Sequence, residues 1–253
     1  MVLYYIICFF ILGTIFGSFY NVVGTRMPEG ESIMFPPSHC NNCNKQLSPL
    51  ELIPIFSFIL QGGKCKHCRI KLSIKYLLYE VMTGVLFSLC YFIFGISLEL
   101  IIALTFVSIL AIVIISDFEY FIIEDKVLIT GAILIFIELA LIYDIKTALF
   151  HLINSLVAFL IMLLIKLAGD KAFKKESMGG GDIKLLAFIG MTIGVPMSII
   201  TIFLSSFIAL PVAIFVLYKN KSDIIPYGPF LSIAAIIILF SRLDFYMFID
   251  LLR

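Results

Sequence analysis

Asp117 and Asp182 are the residues of this chain whose type and position most invite chemistry. Each stands at the end of a long apolar run. Asp117 follows ILAIVIIS, and Asp182 opens DIKLLAFIG directly behind Gly179, Gly180 and Gly181. Ionisable groups at membrane depth are expensive to place and mark candidate functional sites. Two facing carboxylates do not both ionise easily, so one keeps a proton while the other acts as a base. Such a pair can activate water against a peptide carbonyl without a nucleophilic side chain, and it titrates as a unit. The competing reading of Asp182 is an N-cap that satisfies free N–H groups at a helix start. That of Asp117 is a solvated acid ending a helix. The three glycines favour the chemical reading, because they clear side chains from beside the acid and admit backbone conformations closed to other residues. The remaining acids at or within apolar runs are Glu80, Glu99, Glu119, Glu124, Asp125 and Glu138. Glu99 reads as solvated at an outer helix end, and Glu138 as paired across a helix bundle.

A second constellation has the spacing of a metal site. Cys40-x-x-Cys43 and Cys65-x-x-Cys68, with 21 residues between the pairs, supply four thiolates in tetrahedral reach. A segment of this size builds little core of its own, and a metal supplies folding free energy. Two disulfides or a redox pair are the alternatives, but the charge distribution places the segment in a reducing compartment. The expectation is therefore a structural Zn2+ held by Cys40, Cys43, Cys65 and Cys68. Four thiolates leave no open position for catalysis, and His39 and His67 stand beside the site or in solvent. Cys8 and Cys90 fall inside apolar runs and read as small buried side chains.

The elements that must position these groups are membrane helices. Of the 253 residues, 62% are hydrophobic and 14% charged, against about 45–50% and 25% in soluble domains; the mean hydropathy is +1.13. Eight apolar runs predict spans near 2–23, 76–94, 98–116, 127–143, 148–168, 183–195, 197–217 and 227–240. Gly194-Val195-Pro196 predicts a tight turn or a kink between the sixth and seventh. The first run lacks the basic start and small-residue cleavage site of a signal peptide. With the amino terminus outside, residues 24–75 carry seven Lys and Arg on the cytoplasmic side, from Arg26 to Lys75. Lys126, Lys166, Lys171, Lys174, Lys175, Lys184, Lys219 and Lys221 add eight, which makes 15 of the 18. Only Lys146, Arg242 and Arg253 fall outside. The fold class expected is an all-α polytopic membrane protein of about eight transmembrane helices with a small cytoplasmic zinc-binding loop domain. Its divisions are a first helix at 1–23, the cysteine loop at 24–75, and a helical bundle at 76–253. A net charge of +1 offers no case for a nucleic-acid surface.

Several blocks together resemble the bacterial type IV prepilin peptidases, membrane aspartyl proteases that are also N-methyltransferases. They are GSFYNVVGTRMP at 17–28, the paired cysteine knuckles, SDFEYFIIED at 116–125, MGGGDIKLLAFIG at 178–190 and IPYGPFL at 225–231. The resemblance implies that Asp117 and Asp182 are catalytic and that Gly179, Gly180 and Gly181 form the substrate-facing loop. It implies removal of a short basic leader from type IV prepilins or pseudopilins at the cytoplasmic face, after a glycine. Methylation of the new amino terminus by S-adenosylmethionine would follow. Gly63 and Lys64 fall where the family's loop is linked to methyl transfer, and Glu51 and Glu80 match further family acids. The implied location is the bacterial cytoplasmic membrane, with the lipid bilayer as partner. The chain departs from the pattern at Glu124, where the family commonly has proline, and at Lys75-Tyr76-Leu77, where it has arginine, tyrosine and proline. The first departure leaves Asp125 as a rival to Asp117; the second touches the methyl-transfer side.

Rival classes fit fewer residues. A zinc protease needs HExxH, and none of the three histidines stands in that setting. A proton-coupled transporter would use Asp117, Asp182 and Glu138 as a relay, with its site at the midplane between repeated halves. No internal repeat is visible. A membrane anchor with a zinc module leaves the glycines and both aspartates without a role.

Overall fold

The computed structural model describes residues 1–219 and 225–242. Lys221 and Arg253, two of the basic residues used to orient the chain, lie outside the described residues. Two compact units are present, Met1–Ile96 and Ser97–Arg253. Among the described residues the secondary structure is helical, with two isolated bridges and no strand.

The first unit holds α1 (Val2–Arg26), a 3-10 turn (Pro49–Leu52), the short α2 (Phe56–Leu60) and α3 (Ile74–Phe94). Small residues let α1 and α3 approach closely. A Cβ on Gly13 would lie 2.7 Å from the Thr83 carbonyl oxygen, and one on Gly84 would lie 2.8 Å from Thr14 Cγ2. Close backbone contact of this kind substitutes for a hydrophobic drive that lipid does not supply. Phe9 and Tyr91 stack at 5.0 Å, and Ser88 Oγ donates to the Ile6 carbonyl at 3.1 Å. Cys90 is fully buried and Cys8 partly so, as small apolar residues should be.

The second unit holds α4 (Leu98–Tyr120), α5 (Asp125–Ile142), α6 (Ile145–Phe173), α7 (Gly180–Ile193), α8 (Val195–Tyr218) and α9 (Gly228–Ser241). Helix α4 is buried without a break from Ile109 to Asp117 and forms the centre of this unit. Phe106 stacks on Phe188 of α7 at 5.5 Å. Glu138 accepts from Thr105 Oγ1 at 2.6 Å, the cross-bundle partner expected for it. Glu99 in the first turn of α4 pairs with Arg242 at the end of α9 at 2.7 Å.

The eight runs correspond to α1 and α3 through α9. Five of these helices are long and apolar enough to cross a membrane: Val2–Arg26, Ile74–Phe94, Leu98–Tyr120, Ile145–Ala172 and Val195–Val216. Helix α5 carries Asp125, Lys126 and Glu138 within 18 residues. Helices α7 and α9 have 14 residues each, about 21 Å at 1.5 Å per residue against about 30 Å of hydrocarbon. The chain is thus a multi-pass membrane protein in which short helices stand among full spans. The break between α7 and α8 is a turn, with Gly194 at φ +80 in the left-handed region.

Candidate active site and metal centre

Asp117 does not close its helix. Helix α4 continues one turn to Tyr120, and Phe121, in the left-handed conformation, donates its N–H to the Asp117 carbonyl at 3.0 Å. The Asp117 side chain is therefore aimed by regular helix geometry and not by a loop. Asp182 is not an N-cap either. The N-cap of α7 is Gly179, and Asp182 stands at the third helical position. Its carboxylate turns back toward the helix start: a Cβ on Gly179 would lie 3.6 Å from Asp182 Oδ2. The competing cap reading is corrected: the acid stands inside the first turn and not before it. Asp117 and Asp182 are buried, at 5% and 8% exposure, and lie close enough for their charges to interact.

Ile123, in the link between α4 and α5, lies against the elements that position both acids. A Cβ on Gly181, beside Asp182, would fall 2.9 Å from Ile123 Cβ. A Cβ on Gly228 would fall 2.9 Å from Ile123 Cδ1 and 2.7 Å from Asp117 Oδ2. Gly228 N–H donates to Asp117 Oδ2 at 3.0 Å. So the end of α4 and the starts of α7 and α9 converge around one isoleucine.

The three glycines divide their tasks. None has positive φ, so the expected use of unusual backbone conformations is not realised. A Cβ on Gly180 would meet nothing within 4 Å, one on Gly181 would strike Ile123, and one on Gly179 would sit 3.6 Å from Asp182 Oδ2. The segment leading to them is fixed to the end of α6. Ser177 donates from N and Oγ to Asp170 Oδ1 at 2.6 and 2.7 Å, and Lys166 pairs with Glu176 at 2.8 Å. Asp125 lies elsewhere: exposed at the start of α5, it pairs with Lys184 at 2.6 Å.

The cysteine loop is built from two copies of one turn. Cys40 N–H donates to the Lys45 carbonyl at 3.0 Å, and Cys65 N–H to the Ile70 carbonyl at 2.9 Å. Asn44 N–H returns to the Cys40 carbonyl at 2.8 Å, as Arg69 N–H does to Cys65 at 3.0 Å. Asn44 and Arg69 are both left-handed, at φ 53 and 61. Bridges His39 to Gln46 and Lys64 to Lys71 close the two turns. All four sulfurs lie within 4.8 Å of one another, and Cys40 Sγ is 3.7 Å from Cys68 Sγ. A tetrahedral ion with metal–sulfur bonds of about 2.3 Å would hold its sulfurs about 3.8 Å apart. Backbone N–H groups of Cys43 and Asn42 hold the Cys40 thiol below its ordinary range, and that of Ile70 brings Cys68 down to about 6. Both favour the thiolate that a metal binds. The four cysteines could thus hold a metal ion. His39 Nδ1 faces the Pro37 carbonyl at 3.0 Å, and His67 faces Glu51 at 3.7 Å.

The remaining candidates lie on or beside this loop. Glu51 Oε2 accepts from Ser48 N and Oγ at 2.9 and 2.7 Å, and these donors hold its carboxyl below the usual range. Its Oε1 is buried without a hydrogen-bond partner. A cleft of about 320 Å³ is lined by Ser48, Leu50, Glu51, Gln61, Lys66 and Arg69, among others. Gly63, at φ +65, packs on Phe58 and accepts Leu72 N–H at 2.8 Å, with Lys64 in the adjoining bridge. Glu80, on α3, accepts the Ile55 N–H at 2.8 Å and so anchors the loop to the helix. Gly228, Tyr227 and Ile123 went unassigned in the sequence. The blocks SDFEYFIIED and IPYGPFL contain them, and the Gly-Pro pair at 228–229 marks a helix start, where proline is favoured.

Two family models match the chain: the Bacterial Peptidase A24 N-terminal domain over residues 11–94, and the Type IV leader peptidase family over residues 104–214. The chain is 39% identical over 232 residues to the prepilin leader peptidase/N-methyltransferase of Bacillus subtilis strain 168, covering 90% of this chain and 91% of that one. It is 34% identical over 183 residues to the protein of that name in Myxococcus xanthus, covering 72% and 54%. The Vibrio cholerae counterpart is 29% identical over 252 residues, covering 94% and 97%. No solved structure matches the chain.

Proposed function

The chain belongs to the type IV leader peptidase family, and on that premise we propose that it removes the leader of type IV prepilins or pseudopilins and N-methylates the new amino terminus. Asp117 and Asp182 form the catalytic pair. The observation that carries this reading is the convergence around Ile123 of the helix ends that bear two buried carboxylates, Asp117 and Asp182. One carboxylate takes a proton from water as the water oxygen bonds to the scissile carbonyl carbon. The protonated partner donates to the carbonyl oxygen, and the carbon–nitrogen bond breaks as a proton passes to the leaving amine. The open space beside Gly180 suits an extended substrate backbone. The transporter alternative finds no support in the family models or the relatives named above. Asp125 is spoken for by Lys184 at the surface, which favours Asp117 as the first acid.

The four cysteines fit a structural Zn2+, whose binding supplies folding free energy to the loop. For methyl transfer, the cleft beside Glu51 offers an acid and two bases suited to the charged groups of S-adenosylmethionine. When bound there, that cofactor supplies the methyl group. Glu80 contributes by fixing the loop through Ile55. The charge distribution supports a bacterial cytoplasmic-membrane location with the aspartates facing the cytoplasm. The decisive experiment incubates purified protein with a prepilin peptide and reads cleavage and methylation separately. Asp117→Ala and Asp182→Ala should each abolish cleavage; cleavage at the unaltered rate by both would remove the pair from the mechanism.

A further inference from the structure

We propose that the Tyr227-Gly228 step at the start of α9 is the positioning element for Asp117, and that its working part is a backbone amide. The inference rests on the reading of Asp117 as catalytic. Gly228 opens α9, Tyr227 is its N-cap, and Pro229 follows. Proline has no N–H, so the amide of Gly228 is the first free donor of this turn and the next position offers none. It meets Asp117 Oδ2 at 3.0 Å in a buried setting.

Glycine at 228 is not explained by backbone conformation, because its φ is not positive. Space explains it. A side chain there would put Cβ 2.7 Å from Asp117 Oδ2 and 3.3 Å from its Cγ. Only a residue without Cβ lets the helix start come close enough to donate.

The helix start is itself held one residue earlier. Tyr227 hydroxyl bonds Ser205 Oγ at 2.5 Å and lies 3.4 Å from both Ser206 Oγ and the Ile202 carbonyl, all on α8. Ser205 is fully buried. The path therefore runs from α8 through Tyr227 to the Gly228 amide and on to Asp117. Asp117 is thus oriented by a peptide N–H at a helix start. Such donors neither titrate nor change rotamer, and the positive end of the helix dipole adds to their pull. Two carboxylates that share a proton need that fixed orientation.

The test uses the purified full chain in detergent and a synthetic prepilin peptide with a basic leader, glycine at the cleavage point and phenylalanine after it. Gly228→Ala should lower kcat by about 10²-fold, the loss that a misplacement of roughly 1 Å produces, with KM nearly unchanged. Tyr227→Phe keeps the ring and removes one hydrogen-bonding group, and should lower kcat by about 10-fold. Ile123→Ala added to Gly228→Ala removes the other atom the new methyl would strike. Relative to Ile123→Ala alone, kcat should stay depressed, because the Asp117 contact persists. Recovery in that pair makes Gly228 a packing residue and overturns the proposal. Unchanged kcat in Gly228→Ala, or a loss confined to KM, also overturns it. Should Gly228→Ala fail to fold, Tyr227→Phe decides, and native kcat in it defeats the proposal. Asp117→Asn separates the premises. If it cleaves normally, the catalytic pair falls and the inference with it. If it is inactive beside a fully active Gly228→Ala, only the positioning role falls.

Discussion

Cys40 and Cys68 are 28 positions apart and share one loop, whereas Asp117 and the amide that holds it are 111 positions apart on different helices. The cysteine knuckles are local structures: each closes on itself with the same two backbone hydrogen bonds and the same left-handed residue, and the two then face each other. Nothing beyond the loop is needed to form either turn. The aspartate site has no local structure to speak of. It exists because α4, α7 and α9 end at one depth and because glycines let those ends touch. A metal centre of the first kind is robust to changes in distant helices and fragile to loss of its ion. A carboxylate site of the second kind depends on packing throughout its unit.

Substitutions that act on one region and spare the other test this contrast. The largest effect expected is from Asp117→Ala or Asp182→Ala: leader cleavage falls by roughly 10³-fold or more, while methylation of an already cleaved peptide continues. Loss of both activities together would show that the regions do not work separately. Next, Cys40→Ser with Cys43→Ser should reduce bound zinc, measured by elemental analysis, from about one per chain to near none. Methyl transfer should fall more than cleavage does. Gly181→Ala places a methyl 2.9 Å from Ile123 Cβ and should destabilise the second unit by about 1–3 kcal/mol through overpacking, seen as a lower thermal midpoint in detergent. The smallest effect belongs to Asp125→Ala. It breaks an exposed pair with Lys184 worth at most about 1 kcal/mol, and cleavage should persist near the native rate. A large loss there would return Asp125 to contention as the first acid.

Much of this was legible in the residues. Eight apolar runs stand where α1 and α3 to α9 lie, because sustained apolar composition marks each helix, while five of those helices have the length and composition to cross a membrane. The cysteine cluster followed from spacing, since ligands this close in sequence meet without help from the rest of the chain. Glu138 had its partner across the bundle, as an isolated acid among apolar helices must. Helix ends were less legible. Asp117 stands inside α4 and Asp182 inside the first turn of α7, because terminal turns are decided by the groups available to cap them.

By itself, then, the sequence determined the membrane class, the cysteine site and the two acids worth suspecting, all properties of composition and short-range spacing. The tertiary structure decided that the helix ends bearing Asp117 and Asp182 converge at Ile123, and that Asp125 is turned away to Lys184. It assigned Gly181 to packing and Gly180 to open space, and it brought the Gly228 amide to Asp117. A peptide N–H carries no side-chain signature, and whether a glycine serves a turn or a close approach depends on the atoms opposite it. Those atoms come from helices remote in the chain, so only their packing reveals the contact.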